Sequence, residues 1–285
     1  MQPLIDGDVL LYEIGFCGEY LDPETGELLI REWDFVQELL DAKIKLICEE
    51  VDATEAPIIF ITGKRLNHSL VNKSRNFHGD EPIEFLPNFR DSVATIKPYK
   101  GTRKSEKPFH FDNITAYLLG NYRYNLSNGL EADDLLCINQ YGRTDTIICS
   151  RDKDVRQCPG WHYSWECGAQ PSFGPTLVDN KGAIWKDGDK IRGVGTKFFF
   201  YQMLVGDSVD NIPGCPKVGP VKAYALLADL TTRKEHEQAI IDCYRNFYPD
   251  SYRDMVEEQS KLLWMVREYN EDGTYKHYDW GWDGR

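Results

Sequence analysis

Pro3-Leu4-Ile5-Asp6-Gly7-Asp8-Val9-Leu10-Leu11-Tyr12 is an almost continuous apolar run broken by two acids, and it reads as a buried strand carrying Asp6 and Asp8 at its end. Trp33 to Glu50 follows as a helix, because Phe35, Val36, Leu39, Leu40, Ile44 and Ile47 recur at helical spacing. Pro57-Ile58-Ile59-Phe60-Ile61 is a second short apolar strand. The chain therefore opens as a βαβ unit. Helices over Phe111–Leu119 and Glu131–Gln140 alternate with strands over Tyr122–Leu126 and Asp145–Cys149. The predicted class is α/β, with a central, mostly parallel sheet and flanking helices.

Two stretches break that rhythm. Residues 63–110 are polar and basic and hold Pro82, Pro87, Pro98 and Pro108, which predicts a long excursion from the sheet, an arch or lid. Residues 158–195, rich in Gly, Trp and Pro, predict irregular short strands. From Phe198 the pattern turns helical, over 198–205, 219–229, 234–247 and 251–267. The expected organisation is a core over 1–195 that includes the basic arch, a helical subdomain over 196–268, and a tail over 269–285 whose role carries no signal.

With 285 residues, 41% hydrophobic and carrying 13 Phe, 16 Tyr and 7 Trp, the chain can bury a sizeable core and is neither disordered nor fibrous. No apolar run nears the roughly 18 residues of a membrane span. Asp6 stands where a signal peptide would be basic, so a cytoplasmic protein is expected. Eight cysteines without C-x-x-C spacing predict reduced thiols. A pairing of Cys158 with Cys167, or a metal shared with His162, lacks the second clustered pair that a zinc site needs.

A formal charge of −13 argues against a nucleic-acid partner until its distribution is considered. Lys64 to Lys107 holds ten basic residues against five acids, a local +5 that leaves −18 on the remainder. That asymmetry suits carboxylates gathered around cations beside a basic segment that meets an anionic substrate.

Four acidic clusters stand where strands end or helices begin: Asp6 and Asp8; Glu131, Asp133 and Asp134; Asp152 and Asp154; Asp207 and Asp210. Each alone has an ordinary explanation as a cap, a turn or a helix-dipole partner. Together they imply cations, since carboxylates about 4 Å apart repel by roughly 4 kcal/mol per pair at an effective dielectric near 20. Ligands gather outside the carboxyl ends of parallel strands, where such a cluster would form. Two Mg²⁺ ions held by carboxylate oxygens can supply a nucleophilic water and stabilise the leaving oxygen of a phosphoryl displacement.

These residues resemble the 5′-nucleases: flap endonucleases, the 5′-nuclease domain of bacterial DNA polymerase I, and phage 5′→3′ exonucleases. The resemblance rests on five motifs in family order: Leu4-Ile5-Asp6-Gly7-Asp8, Tyr99-Lys100-Gly101-Thr102-Arg103, Glu131-Ala132-Asp133-Asp134, Ser150-Arg151-Asp152-Lys153-Asp154, and Gly206-Asp207-Ser208-Val209-Asp210-Asn211-Ile212-Pro213-Gly214. It implies a PIN-like core and a Mg²⁺-dependent 5′→3′ exonuclease or flap endonuclease that uses two ions, with Mn²⁺ as a substitute. Asp6, Glu131, Asp133, Asp152, Asp154 and Asp210 would be metal-site acids, with Asp134 and Asp207 as outer members. Lys100 and Arg103 would contact the scissile phosphate as catalytic cations, and Tyr99 would stack on a terminal base. The 214–223 stretch resembles the family's helix-hairpin-helix relative. Gly214, Gly219 and Lys222 would there grip duplex DNA, with K⁺ at the turn.

The implied partner is DNA with a 5′ end or a single-strand/duplex junction, met by a monomer without membrane contact. A role in replication or recombination in a phage, and so in host cytoplasm, is the accompanying analogy. One departure stands out: family members carry an Asp just after the second strand, and Ile61-Thr62-Gly63-Lys64-Arg65 supplies none. Asp80 or Asp91 is the substitute from the excursion, or the outer ligand is absent. The alternatives are a PIN-like ribonuclease, which lacks the Lys100/Arg103 arch, and a catalytically silent nucleic-acid-binding homologue. A Ca²⁺-binding structural protein is remote, because no EF-hand loop is present.

Overall fold

A computed structural model describes residues 1–77, 79–102 and 106–282. In chain order its elements are β1 (Gln2–Asp6), α1 (Gly7–Cys17), β2 (Glu19–Leu21), β3 (Leu28–Ile30), α2 (Trp33–Glu50), β4 (Ile58–Thr62), α3 (His68–Phe77), α4 (Phe89–Val93), α5 (Phe111–Asn121), β5 (Arg123–Ser127), α6 (Ala132–Gln140), β6 (Thr146–Cys149), β7 (Gly160–Ser164), β8 (Phe173–Val178), β9 (Ala183–Asp187), β10 (Lys190–Val194), α7 (Gly195–Val205), α8 (Pro220–Leu227), α9 (Arg233–Phe247) and α10 (Tyr252–Leu263). The chain forms two compact units. Unit 1 comprises Met1–Asn88, Ser105–Val155 and Gly160–Leu177; unit 2 comprises Phe89–Lys104, Arg156–Pro159 and Val178–Arg285. The 63–110 excursion is thus divided between them.

Unit 1 is built on a six-stranded sheet of order β5-β4-β1-β6-β7-β8. The pairs β4–β5, β1–β4, β1–β6 and β6–β7 are all parallel. Side chains alternate across a strand, so one face takes Ile5, Ile59, Ile61, Ile147 and Cys149 into a core with Leu10, Ile14, Val36, Leu40 and Ile114 from α1, α2 and α5. Leu4, Phe60 and Ile148, fully buried, alternate with them, and α6 packs on β1, β4 and β6. Burial of each such side chain contributes about 1.5–3 kcal/mol.

The run Pro3–Tyr12 is not one strand. The strand stops at Asp6, whose side chain accepts the Val9 amide and caps α1, so Asp8 lies in the first helical turn. A continuous apolar run suits a buried strand and a buried helix equally, and here the capping acid decides where one becomes the other. After Gly18, β2 and β3 pair antiparallel around Asp22, whose carboxylate accepts the Glu24 and Thr25 amides.

Unit 2 is helical around α7, α9 and α10, with an antiparallel β9–β10 hairpin. Its core joins Phe198, Phe199, Phe200, Leu204, Ile240, Tyr244, Trp264, Tyr278 and Trp280. The tail therefore contributes core: Tyr278 and Trp280 bury themselves among the phenylalanines of α7, and the Tyr278 hydroxyl donates to Glu237.

Candidate metal and nucleic-acid site

In unit 1 the parallel strands deliver Asp6, Thr62 and Ser150 to the same end of the sheet, since Asp6 stands opposite Phe60 and Ile5 opposite Cys149, and β4 runs two residues further to Thr62. Asp6 is buried. Its Oδ1 accepts the Val9 amide at 3.1 Å, and its Oδ2 accepts the Ser150 hydroxyl at 2.6 Å. Ser150 Oγ in turn accepts the Asp152 amide at 3.0 Å, and Asp152 Oδ1 accepts the Asp154 amide at 2.8 Å. The motif around Asp152 is thereby strung from Asp6 by hydrogen bonds. Burial, then the nearby Asp8 charge, pushes the Asp6 carboxyl up to about 7, with Asp152 adding to the rise and the two hydrogen bonds opposing it.

The second group of acids converges on Arg65. Asp8 Oδ1 accepts the Thr62 amide at 2.9 Å, while its Oδ2 lies 3.3 Å from Arg65 Nη1. Arg65 Nη2 lies 3.5 Å from Glu131 Oε1. Glu131 is the cap residue of α6, and its amide donates to Asp134 Oδ2 at 3.3 Å. Thr62 Oγ1 accepts the Ala132 amide at 2.9 Å and so satisfies one of the unpaired donors at that helix start. Burial disfavours the Arg65 charge, but Asp8, then Glu131, Tyr12 and Asp133, hold it firmly protonated. At the place expected to lack an acid the structure therefore sets a cation, while Asp80 is exposed and Asp91 lies in unit 2.

Glu13, two turns beyond Asp6 on α1, fixes the other side of the motif. It pairs with Arg151 at 2.8 Å and Lys43 at 3.1 Å and accepts the Trp165 indole N–H. Burial would raise its carboxyl, but these three donors together hold it below the ordinary range. An acid in the middle of the apolar body of α1, past Asp8 in its first turn, was the available signal for it. Arg65 was visible only as one member of a basic run.

Asp207 and Asp210 lie in unit 2, on the Gly206–Gly214 loop. Asp207 and Ile212 exchange backbone hydrogen bonds at 2.9 and 2.8 Å, and Asp207 Oδ1 accepts the Val209 and Asp210 amides. Asp210 meets two residues of the expected phosphate-binding motif: its Oδ2 accepts the Tyr99 hydroxyl at 3.2 Å and lies 3.7 Å from Lys100 Nζ, while its carbonyl accepts the Lys100 amide at 3.0 Å. Lys100 Nζ also lies 5.0 Å from the Tyr99 ring centroid. Arg103 lies outside the described residues.

Two further residues pin this segment. Arg90 is fully buried and donates to the Leu262 and Trp264 carbonyls, each at 2.9 Å. Glu258 accepts the Thr95 and Ile96 amides at 3.0 and 3.1 Å and the Thr95 hydroxyl. Arg90 therefore acts as an internal clamp and leaves the set of basic residues expected to face a substrate.

The 214–223 turn separates its two glycines by role. Gly214 is buried with φ of +66°, and its amide donates to Gln259 Oε1 at 3.0 Å. It shapes the turn. Gly219 is exposed at the start of α8, Pro220 occupies the first helical position, and Lys222 is exposed one turn in. That end can receive an anion.

The donors of unit 1 fit a hard divalent cation in kind, being carboxylate oxygens whose mutual repulsion a cation would relieve. Among the described residues no three His, Cys, Asp or Glu side chains stand together as a ready ligand group.

No family model matches the chain. A DNA polymerase I of Rhizobium leguminosarum is 32% identical over 125 residues, which cover 40% of this chain and 11% of that protein, so the chain spans about a tenth of its length. Among solved structures, T5 5′-exonuclease with bound zinc ions is 12% identical over 92% of this chain and 99% of its own, with a TM-score of 0.46. The bacteriophage T5 flap endonuclease in a pseudo-enzyme–product complex with DNA and metal ions is 12% identical over 92% and 98%, with a TM-score of 0.45. The catalytic core of Rad2 in complex with DNA substrate is 12% identical over 90% and 74%, with a TM-score of 0.41. What the chain resembles, in motifs and in these comparisons, is the 5′-nucleases.

Proposed function

We propose that the chain is a Mg²⁺-dependent 5′→3′ DNA nuclease, an exonuclease or a flap endonuclease, acting at a 5′ end or a single-strand/duplex junction. The observation that carries this reading is the unit 1 cluster in which Asp6, Asp152 and Asp154 are linked through Ser150 at the carboxyl edge of a parallel sheet. Divalent cations held by such acids supply a nucleophilic water and charge stabilisation at the leaving oxygen. The chain's own part is to hold the acids still. Ser150 and the Val9 amide orient Asp6, Glu13 fixes Arg151 within the motif, and Thr62 ties Asp8 to the start of α6.

In unit 2, Lys100 is assigned to the scissile phosphate and Tyr99 to a terminal base, because a cation and an aromatic face suit those groups. Asp207 and Asp210 keep their assignment as metal-site acids, and Arg103 its assignment to the phosphate. Gly219 and Lys222 are assigned to the phosphate backbone of the duplex, with K⁺ as a candidate ion at that turn. The test is Mg²⁺-dependent digestion of 5′-labelled flap, nicked and blunt duplexes. Short 5′ products that vanish with chelator are expected, and intact substrates at micromolar enzyme would reject the reading. The Arg65 pairing with Asp8 and Glu131 favours one rival, a silent binding homologue, which the same assay would reveal as DNA retained without products.

A further inference from the structure

Arg65 is placed by the fold itself. The turn Gly63–Arg65 follows β4 directly, and a Cβ on Gly63 would sit 2.0 Å from the Phe85 ring and 2.6 Å from the Ser127 carbonyl oxygen, so only glycine lets the chain turn there. The Arg65 carbonyl accepts Lys107 Nζ at 2.6 Å. Its guanidinium then reaches two acids, Asp8 at 3.3 Å and Glu131 at 3.5 Å, and its side chain is 31% exposed. Both acids are held by the same end of β4, Asp8 through the Thr62 amide and Glu131 through the Thr62 hydroxyl bound to the next residue's amide. A guanidinium carries its charge at every accessible pH and offers a rigid fork of donors.

We infer that Arg65 is the resident cation of the Asp8–Glu131 end of the cluster, so that unit 1 takes one fewer divalent ion than its acids would hold without it. The inference rests on the reading of the cluster as a divalent-cation site, and it deepens that reading by assigning the cations. The Arg65 guanidinium offsets negative charge on both carboxylates and occupies the side of each that an incoming ion would approach. A divalent ion at that end must displace a tethered competitor, whereas at the other end Asp6 accepts from neutral donors, the Val9 amide and the Ser150 hydroxyl, and Ser150 in turn accepts the Asp152 amide. Arg65 is a positioning residue: it sets which acids remain available to a metal.

The test counts Mn²⁺ per chain by calorimetric titration and by the electron paramagnetic resonance of unbound Mn²⁺, on the full chain without DNA. Arg65→Ala should bind one more Mn²⁺ than the parent, and Glu131→Gln placed on top of it should remove that extra ion. Glu131→Gln in the parent should leave the count unchanged, which keeps the inference testable should Arg65→Ala fail to fold. Equal, non-zero counts in the parent and Arg65→Ala, or loss of an ion on Glu131→Gln alone, overturn the inference and leave the cation site standing. No Mn²⁺ on either protein at millimolar concentration overturns both.

Discussion

Ser150 donates a 2.6 Å hydrogen bond to Asp6, and through that hydroxyl the strand end of β1 is joined to the Asp152–Asp154 motif after β6. The two motifs are 144 residues apart along the chain, yet one hydroxyl serves both, accepting from one backbone and donating to the other's carboxylate. A charged acceptor makes this the stronger kind of hydrogen bond.

The raised Asp6 carboxyl makes stability depend on pH. It ionises near 3.8 when unfolded and near 7 when folded, so between those values the folded state holds the extra proton and stability falls as pH rises. The loss across that window is on the order of 4 kcal/mol. In chelator, the melting temperature should fall between about pH 5 and pH 8, and Asp6→Asn should flatten the decline. Stabilisation by millimolar Mg²⁺ should be larger at the upper end, and calorimetry at both pH values checks it.

Asp154→Asn and Asp210→Asn should each lower cleavage by about 10²-fold or more, while gel-shift affinity for a flap duplex changes little. Lys100→Ala should slow the single-turnover rate on a similar scale. Undiminished cleavage in all three would remove the assigned roles.

Arg90→Met should destabilise the chain by about 2–6 kcal/mol in urea unfolding, since it strands the Leu262 and Trp264 carbonyls in a buried site at about 1–3 kcal/mol each. Faster amide exchange over residues 89–102 should accompany it. An exposed phosphate-facing arginine would instead show wild-type stability and weaker DNA binding.

Lys222→Ala should weaken binding to duplexes of any sequence and reduce the log–log salt slope by about 0.9, the signature of one lost phosphate contact. A slope equal to the parent's would place Lys222 off the DNA.

The helix Trp33–Glu50 kept its expected bounds and buries Val36, Leu40, Ile44 and Ile47, although Phe35 of the same apolar set stays exposed, because a two-sided amphipathic pattern has one solution. The Pro3–Tyr12 run did not, because an apolar stretch without alternation suits either state until Asp6 caps it. The four acidic motifs were legible because each keeps its acids within a few residues. Arg90 and Arg65 were not: both are bases in a polar segment, and one is a buried clamp while the other lies within an acidic cluster.

What the sequence determined by itself was the α/β alternation and the places of the acidic motifs, since these depend on neighbours along the chain. Only the tertiary structure decided that Ser150 links Asp6 to Asp152, that Arg65 stands between Asp8 and Glu131, and that Tyr99 and Lys100 meet Asp210. These pairings span tens of residues or more. Their partners are selected by sheet register and by the burial cost of an unpaired charge, neither of which a local pattern encodes.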